Sequence, residues 1–210
     1  MYLSKILLDP ASRQVQKEIS NRYELHRTLT AQFPQESREN IGLLYRIEMP
    51  DRQVYQPIRL LIQTQLEPNW KKFVDRKLLT DRAQVKEFNL NFTEKTSYYF
   101  RLLGNPTMRK KQPDGSGKRV GLYKIEEQEN WLSRKAEQGG FRVLAVKLTD
   151  LGLIESIKQK NSRIYNIKHL GIQFDGILSV KNPKNFEKTI IKGVGSAKAF
   201  GFGLLSLAKY

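Results

Sequence analysis

Apolar residues recur at two different periods along this chain, and the change of period separates strands from helices. Residues 2–9 alternate imperfectly between apolar and polar positions, as a half-buried strand does, until Pro10 ends the run. From residue 12 to residue 33 the apolar positions recur at helical spacing, with Ser12 as the expected N-cap and Pro34 after the last turn. The pattern predicts a first strand followed by one long helix.

The following segments complete an order of elements that belongs to a known fold. Residues 43–49 and 55–65 are typical of two strands joined by a turn at 50–53, and they are followed by a short helical segment at 67–74 and a strand at 85–92. The resulting order, β-α-β-β-α-β, is that of the ferredoxin-like fold, which RNA-recognition modules share.

The second half repeats these kinds of element without repeating the sequence. It begins with a predicted strand at 98–103, followed by a basic loop at 108–119 that leads into a strand at 120–123. A helix at 126–138, ended by Gly139 and Gly140, comes next. The remaining predicted segments are a strand at 141–148, a strand or loop at 151–157, a basic turn at 158–163, strands at 164–168 and 171–180, a short helix at 183–191 and a last strand at 204–208. We therefore predict an α+β fold of two tandem ferredoxin-like (RRM-like) domains at 1–92 and 97–210. Each is expected to be an antiparallel sheet with helices on one face.

Composition adds a preferred partner to this fold. The 210 residues carry a formal net charge of +16, of which +12 lies in residues 91–210. Such an excess of Lys and Arg favours a polyanion, and nucleic acid in particular, although a solubilising basic surface is the alternative. The chain has no cysteine, no apolar run long enough to span a membrane and no signal-peptide pattern at its start, which fits a cytoplasmic protein.

A glycine-rich stretch at 192–203 is the most unusual local feature. Gly193, Gly195, Gly201 and Gly203, with lysines beside them, suit close approach of an anion to the backbone. The spacing fits neither a dinucleotide fingerprint nor a Walker loop, because Lys198 replaces the third glycine of the first motif and the second is absent.

Two histidines are the candidates for proton transfer near neutral pH. His26 follows Tyr23 by three residues on the predicted helix, with Arg22 and Arg27 close by, and such a set can act on a phosphodiester whose own 2′-hydroxyl is the nucleophile. His26 also falls within the apolar stripe of that helix, so a structural histidine is the alternative. His169, within a predicted strand, is more typical of a structural residue. The spacing shows no metal motif.

The aromatic run at 98–100 has two interpretations as well. Consecutive aromatic residues on a strand can stack bases, as the sheets of RNA-recognition modules do, and they can equally belong to the core.

Several of these segments together resemble one family. Residues 1–5, the pair Tyr23 and His26, residues 99–102 with Asn105-Pro106, and above all residues 193–207 are similar to the CasE family, the CRISPR repeat-cleaving endoribonucleases of type I-E Cascade. The resemblance implies tandem ferredoxin-like domains and cleavage of precursor CRISPR RNA at the base of the repeat hairpin. The cut is made without metal or cofactor by 2′-hydroxyl attack, and it leaves a 2′,3′-cyclic or 3′ phosphate and a 5′-hydroxyl.

The resemblance also implies roles for individual residues and for partners. His26 is expected to transfer protons and Tyr23 to position the scissile phosphate, in an enzyme that stays on its product and joins other Cascade subunits. It is expected to be a monomer when alone, without membrane contact, in the prokaryotic cytoplasm. A non-catalytic structural RNA-binding subunit remains the alternative, and a DNA-binding regulator is disfavoured because no clear helix-turn-helix is present. The residues expected to bind RNA are Arg22, Arg27, Arg109, Lys110, Lys111, Lys118, Arg119, Lys158, Lys160, Arg163, Gly193, Gly195, Ser196, Lys198, Gly201 and Gly203.

Overall fold

The computed structural model describes residues 1–50, 55–74, 83–113, 115–160 and 163–210. They fall into two compact units. The first contains residues 1–90, 155–167 and 198–204, and the second contains residues 91–154, 168–197 and 205–210. The first unit therefore takes two segments from the second half of the chain. The predicted domain limits, 1–92 and 97–210, stay a prediction.

The first unit is built on a four-stranded antiparallel sheet in the order β2-β3-β1-β4. In the central pair, Tyr2 lies opposite Thr64 and Leu8 opposite Ile58. The elements of this unit are β1 (Tyr2–Leu8), α1 (Arg13–Ser20), α2 (Arg22–Thr30), α3 (Arg38–Ile41), β2 (Leu44–Glu48), β3 (Ile58–Thr64), α4 (Lys71–Val74) and β4 (Gln84–Glu87). The strand predicted at 85–92 is thus shorter, and most of the turn predicted at 50–53 lies outside the described residues.

The prediction of one long helix at 12–33 is wrong in one respect, because the helix is interrupted at Asn21. Ser12 does cap α1, since its Oγ accepts a hydrogen bond from the Val15 N–H at 3.4 Å. Asn21 leaves the helical conformation, with φ −123° and ψ 85°, and stands between α1 and α2. Its side chain instead bonds to the backbone of Ile157. Asn favours such alternative bonds over a helix interior.

The second unit is built on the sheet β10-β5-β9-β8 and a separate two-stranded ribbon, β6-β7. The elements of the second half of the chain are β5 (Ser97–Gly104), β6 (Thr107–Lys111), β7 (Gly117–Gly121), α5 (Ile125–Gln138), β8 (Phe141–Lys160), β9 (Arg163–Val180), α6 (Pro183–Lys192), a 3-10 turn (Lys198–Phe200) and β10 (Leu205–Lys209). Of these, the 3-10 turn and the parts of β8 and β9 within 155–167 belong to the first unit. The basic loop predicted at 108–119 is largely the antiparallel ribbon β6-β7, with its cations on both strands. The breaks expected near 150 and 170 are absent, because β8 and β9 are continuous there; Gly152, with φ 74°, lies within β8.

Aromatic side chains fill the space between the second sheet and its helices. The Trp131 ring of α5 stacks on Phe174 of β9, with centroids 5.8 Å apart, and Phe186 of α6 contacts Phe141 at 5.5 Å. The α+β class with antiparallel sheets is confirmed. The described residues include no helix that is both long and apolar enough to cross a membrane.

Candidate active site

Helix α2 carries the two candidate catalytic residues on one half-buried surface. Tyr23, His26 and Thr30 are spaced three and four residues apart, so their side chains lie next to one another along the helix. The His26 ring meets Tyr45 of β2 edge-on, with centroids 6.4 Å apart. His26 is neither fully buried nor fully exposed, so it combines a fixed orientation with access to solvent.

The hydrogen bonds of Thr30 define which nitrogen of His26 carries the proton. The Thr30 hydroxyl donates to the His26 carbonyl oxygen at 2.8 Å, and its Oγ1 lies 2.9 Å from His26 Nδ1. A hydroxyl has a single proton, so Oγ1 accepts the second bond and Nδ1 is the donor. This tautomer, inferred from the bonding pattern, leaves Nε2 with a lone pair. His26 is therefore arranged to accept a proton at Nε2.

Burial lowers the pKa of His26 from the ordinary value of 6.5, and the positive charge of Arg38 lowers it further. The imidazole is consequently neutral at pH 7. A neutral imidazole with a lone pair on Nε2 is the form that a general base requires.

Tyr23 lies between an aromatic ring and a cation. Its ring stacks against Phe200 at a centroid distance of 6.3 Å and an interplanar angle of 30°. The Nζ atom of Lys158 lies 5.4 Å from the centre of the same ring, within cation–π range. The structure thus brings together Tyr23 from α2, Lys158 from β8 and Phe200 from the glycine-rich stretch.

Asn21 fixes the position of Lys158. Its Nδ2 donates to the Ile157 carbonyl at 2.9 Å, and its Oδ1 accepts from the Ile157 N–H at 3.2 Å. One side-chain amide therefore holds both backbone groups of the residue before Lys158. Sequence reasoning missed this contact, and the only available signal was an Asn in the middle of a helical pattern.

The glycine-rich stretch divides between the two units, and residues 198–204 pack in the first. Three side chains contact carbonyl oxygens of this segment. The Tyr45 hydroxyl lies 3.1 Å from the carbonyl oxygen of Ala199 and 2.9 Å from that of Arg22. Arg22 donates to Phe200 at 3.1 Å, and Arg46 donates to Leu204 at 3.3 Å. Burial lowers the pKa of Arg22 and raises that of Tyr45. Arg22, expected to bind RNA, thus holds the loop beside Tyr23.

Gly201 has a structural reason to be glycine. Its φ is 80°, and a Cβ there would stand 3.0 Å from Cε2 of Tyr45 and 3.4 Å from Nη1 of Arg22. Its N–H donates to the carbonyl of Lys198, at the start of the 3-10 turn. Gly203 is buried, with φ 85°. That these residues contact RNA stays a prediction.

The remaining residues of the stretch lie in the second unit. Gly193 ends α6 with φ 72°, and Gly195, with φ 79°, lies so close to the Trp131 ring that a Cβ would be 2.9 Å from it. The buried Ser196 Oγ has no hydrogen-bond partner among the described residues. Their RNA contacts also stay a prediction.

The ribbon β6-β7 concentrates positive charge on both of its faces. Arg109 pairs with Arg119, and Lys110 with Lys118. All four side chains are exposed, as is that of Lys111. Like charges directly opposite one another destabilise a strand pair, so this ribbon carries a repulsion that a polyanion would relieve.

The other predicted site residues are placed as follows. Arg27 is exposed and forms an ion pair with Glu24 at 3.0 Å. Arg163 is exposed at the start of β9, whereas the side chain of Lys160 lies outside the described residues. His169 is held at 3.2 Å by the Asn105 amide, and burial, followed by the charge of Arg119, lowers its pKa.

Side chains that could bind a metal ion are not clustered in the part of the chain that the structure describes. Those residues contain no group of three or more His, Cys, Asp or Glu side chains that could hold one.

The whole chain is similar to proteins of one family. A family model described as a CRISPR associated protein matches residues 1–209. The chain is 36% identical to the CRISPR-associated endoribonuclease Cse3 of Thermus thermophilus, over 99% of this chain and 100% of that protein. It is 28% identical to the CRISPR system Cascade subunit CasE of Escherichia coli, over 99% of both. The structure of CRISPR endoribonuclease Cse3 bound to a 19-nucleotide RNA matches this chain with a TM-score of 0.82 and 35% sequence identity. The match covers 99% of this chain and 100% of the Cse3 chain, and it confirms the tandem ferredoxin-like fold.

Proposed function

Because this chain belongs to the CasE/Cse3 family of CRISPR-associated proteins, we infer that it is an endoribonuclease that processes CRISPR repeat RNA. It binds the repeat stem–loop and cuts precursor CRISPR RNA at the base of the hairpin. It then remains on the product as a subunit of a type I-E Cascade complex in the prokaryotic cytoplasm. The observation that carries this proposal is the arrangement of His26, with its Nε2 lone pair, beside Tyr23 and Lys158.

The chemistry needs one proton acceptor and groups that bind the phosphate. Nε2 of His26 takes the proton of the 2′-hydroxyl, and the resulting oxygen attacks the adjacent phosphorus. A bond forms between the 2′-oxygen and phosphorus while the bond to the 5′-oxygen breaks. The leaving 5′-oxygen takes up a proton from solvent, so the products are a 2′,3′-cyclic phosphate and a 5′-hydroxyl. Addition of a water molecule can then open the cyclic phosphate to a 3′ phosphate.

Tyr23 and Lys158 are assigned to the phosphate. The Tyr23 hydroxyl can donate to a non-bridging oxygen, and the ammonium of Lys158 stabilises the negative charge that accumulates on those oxygens as the reaction proceeds. The contact between the Tyr23 ring and Lys158 Nζ supports this assignment, because it holds both groups on one side of α2. Arg109, Lys110, Lys118 and Arg119 of the ribbon would bind phosphates of the stem without reading its sequence.

The test is cleavage of the cognate repeat RNA in the presence of EDTA. We expect a single cut by the wild-type protein and none by His26→Ala, which should remain folded and bind the RNA with unchanged affinity. A 2′-deoxy substitution at the cut site should abolish cleavage and leave binding intact.

Three results would contradict the proposal. They are metal-dependent cleavage, full activity of His26→Ala, or cleavage of the 2′-deoxy substrate. If the wild-type protein bound the RNA without cutting it and His26→Ala only lowered the melting temperature, His26 would be a structural residue and the chain a non-catalytic RNA-binding subunit.

A further inference from the structure

The second sheet has one face that its helices do not cover. In β5, Phe100 is 4% exposed and Leu102 fully buried, because both point towards α5 and α6. Tyr99 is the neighbour of Phe100 in the strand, and successive side chains point to opposite faces of a sheet. Tyr99 therefore points away from the core, and it is 50% exposed. The aromatic run at 98–100 thus contributes both to the core and to an open surface, which we call the outer face.

An aromatic pair stands at one end of the outer face. The rings of Tyr99 and Tyr210 lie 5.1 Å apart with an interplanar angle of 50°, and Tyr210 is 68% exposed. Tyr99 pairs across the sheet with Ala208 and Ile177, whose small and aliphatic side chains leave its ring uncovered. Two adjacent, exposed rings on one sheet offer flat π-faces to a ligand.

The same face contains an open, mostly apolar groove whose lining includes two cationic side chains, Arg101 and Lys147. The groove has a volume of about 720 Å³ and runs across β10, β5, β9 and β8, with Tyr99, Arg101, Lys147 and Ser206 among its lining residues. Its one acidic residue, Asp175, is already engaged by Arg101 at 2.6 and 3.1 Å and by the Gln173 amide at 2.7 Å. Lys147 adds a second, exposed cation.

We propose that the outer face is a second RNA-binding surface, on which Tyr99 and Tyr210 stack the bases of an unpaired RNA segment while Arg101 and Lys147 contact its phosphates. Exposed aromatic rings on a sheet, flanked by cations, are the combination that binds single-stranded RNA without reading its sequence. The net charge of +12 on residues 91–210 attracts RNA and disfavours a neutral or basic protein partner. This surface shares no residue with the site on α2, so it does not depend on the proposed cleavage.

The experiment measures two affinities by fluorescence anisotropy. One probe is a labelled ten-nucleotide oligouridylate, which cannot form a hairpin, and the other is the repeat hairpin without unpaired ends. The variants are Tyr99→Ala, Tyr210→Ala, their combination, and Tyr99→Phe, which keeps the ring. Tyr55→Ala is the matched control, because Tyr55 is 67% exposed on the first unit.

We expect Tyr99→Ala and Tyr210→Ala each to weaken oligouridylate binding about tenfold, as loss of one stacking partner does. Tyr99→Phe and Tyr55→Ala should bind oligouridylate like the wild type. All variants should bind the hairpin and cleave the complete repeat RNA normally. Unchanged oligouridylate affinity in the combined variant, or an equal loss in Tyr55→Ala, would overturn the proposal. So would intact oligouridylate binding together with lost association of other Cascade subunits, which would assign the outer face to a protein. Failure of the wild type to cleave would count against the proposed function alone.

Discussion

Replacing Thr30 by valine should slow cleavage without weakening RNA binding. Valine has nearly the shape of threonine but no hydroxyl, so the variant loses the acceptor that holds the Nδ1–H of His26 at 2.9 Å. The imidazole is then free to move its proton to Nε2, the nitrogen that accepts the 2′-hydroxyl proton in the proposed mechanism. The effect acts through His26, which makes Thr30 a positioning residue.

The size of the effect follows from the bond that is lost. A hydrogen bond of this kind contributes roughly 0.5–1.5 kcal/mol, and 1.36 kcal/mol corresponds to a factor of ten in rate, so we expect cleavage to fall roughly 2- to 12-fold. Burial holds the pKa of His26 below 6.5, so the wild-type rate should be level near pH 7 and decline only as acid protonates Nε2.

The assay is single-turnover cleavage at saturating enzyme, with affinity measured on the 2′-deoxy RNA. Imidazole ¹⁵N chemical shifts should show Nδ1–H in the wild type and in Thr30→Ser, and a mixture of tautomers in Thr30→Val. Thr28→Val is the matched control, because Thr28 lies on the same helix and its hydroxyl bonds to the Glu24 carbonyl at 3.1 Å rather than to His26.

The reasoning would be refuted by any of three outcomes. Thr30→Val could cleave at the wild-type rate, Thr30→Ser could be as slow as Thr30→Val, or the slower cleavage could be accounted for by weaker RNA binding. An equal loss in Thr28→Val would attribute the effect to helix stability.

Two further variants test how the site is assembled. Asn21→Ala removes both hydrogen bonds to Ile157, so cleavage should fall. Combining it with Lys158→Ala should add little further loss, because Asn21 acts by placing Lys158. Additive losses in the single-turnover rates would contradict this. Gly201→Ala introduces a Cβ at φ 80° and 3.0 Å from the Tyr45 ring, so it should cost about 1–2 kcal/mol in thermal or urea unfolding and also slow cleavage. Gly152→Ala, with φ 74° and nothing within 4 Å of the added Cβ, should lose stability alone, and a Gly201→Ala protein no slower than this control would be the contrary result.

Local signals in the sequence predicted most of the elements. Ser12 caps α1 as expected, and the helix predicted at 126–138 is α5, ended by Gly139. These predictions succeeded because caps and apolar periodicity act within a few residues. The ribbon β6-β7 was predicted for the same reason, since turn residues lie between its two basic arms.

Distant contacts account for what the sequence did not predict. The break at Asn21 is stabilised by Ile157, which is 136 residues away along the chain. The environment of Tyr23 likewise depends on Lys158 and Phe200. Lys158 was expected in a basic turn that binds RNA, and only the tertiary structure brings it to the Tyr23 ring. The role of Thr30 was not visible either, because a threonine within a helix has no distinguishing pattern.

The first unit combines residues 1–90 with two segments from the second half of the chain, so its parts are synthesised at different times. Tyr23 and His26 lie on a helix that is among the first parts of the chain to be made, but Lys158 and Phe200 are translated much later. At typical elongation rates of 5–20 residues per second, roughly 10 to 35 s separate Tyr23 from Phe200. Throughout this interval the nascent chain carries α2 without Lys158 or the loop beside Tyr23. The ribosome therefore holds an incomplete candidate site until translation is nearly finished, and on the proposed function RNA near the ribosome would not meet the assembled site.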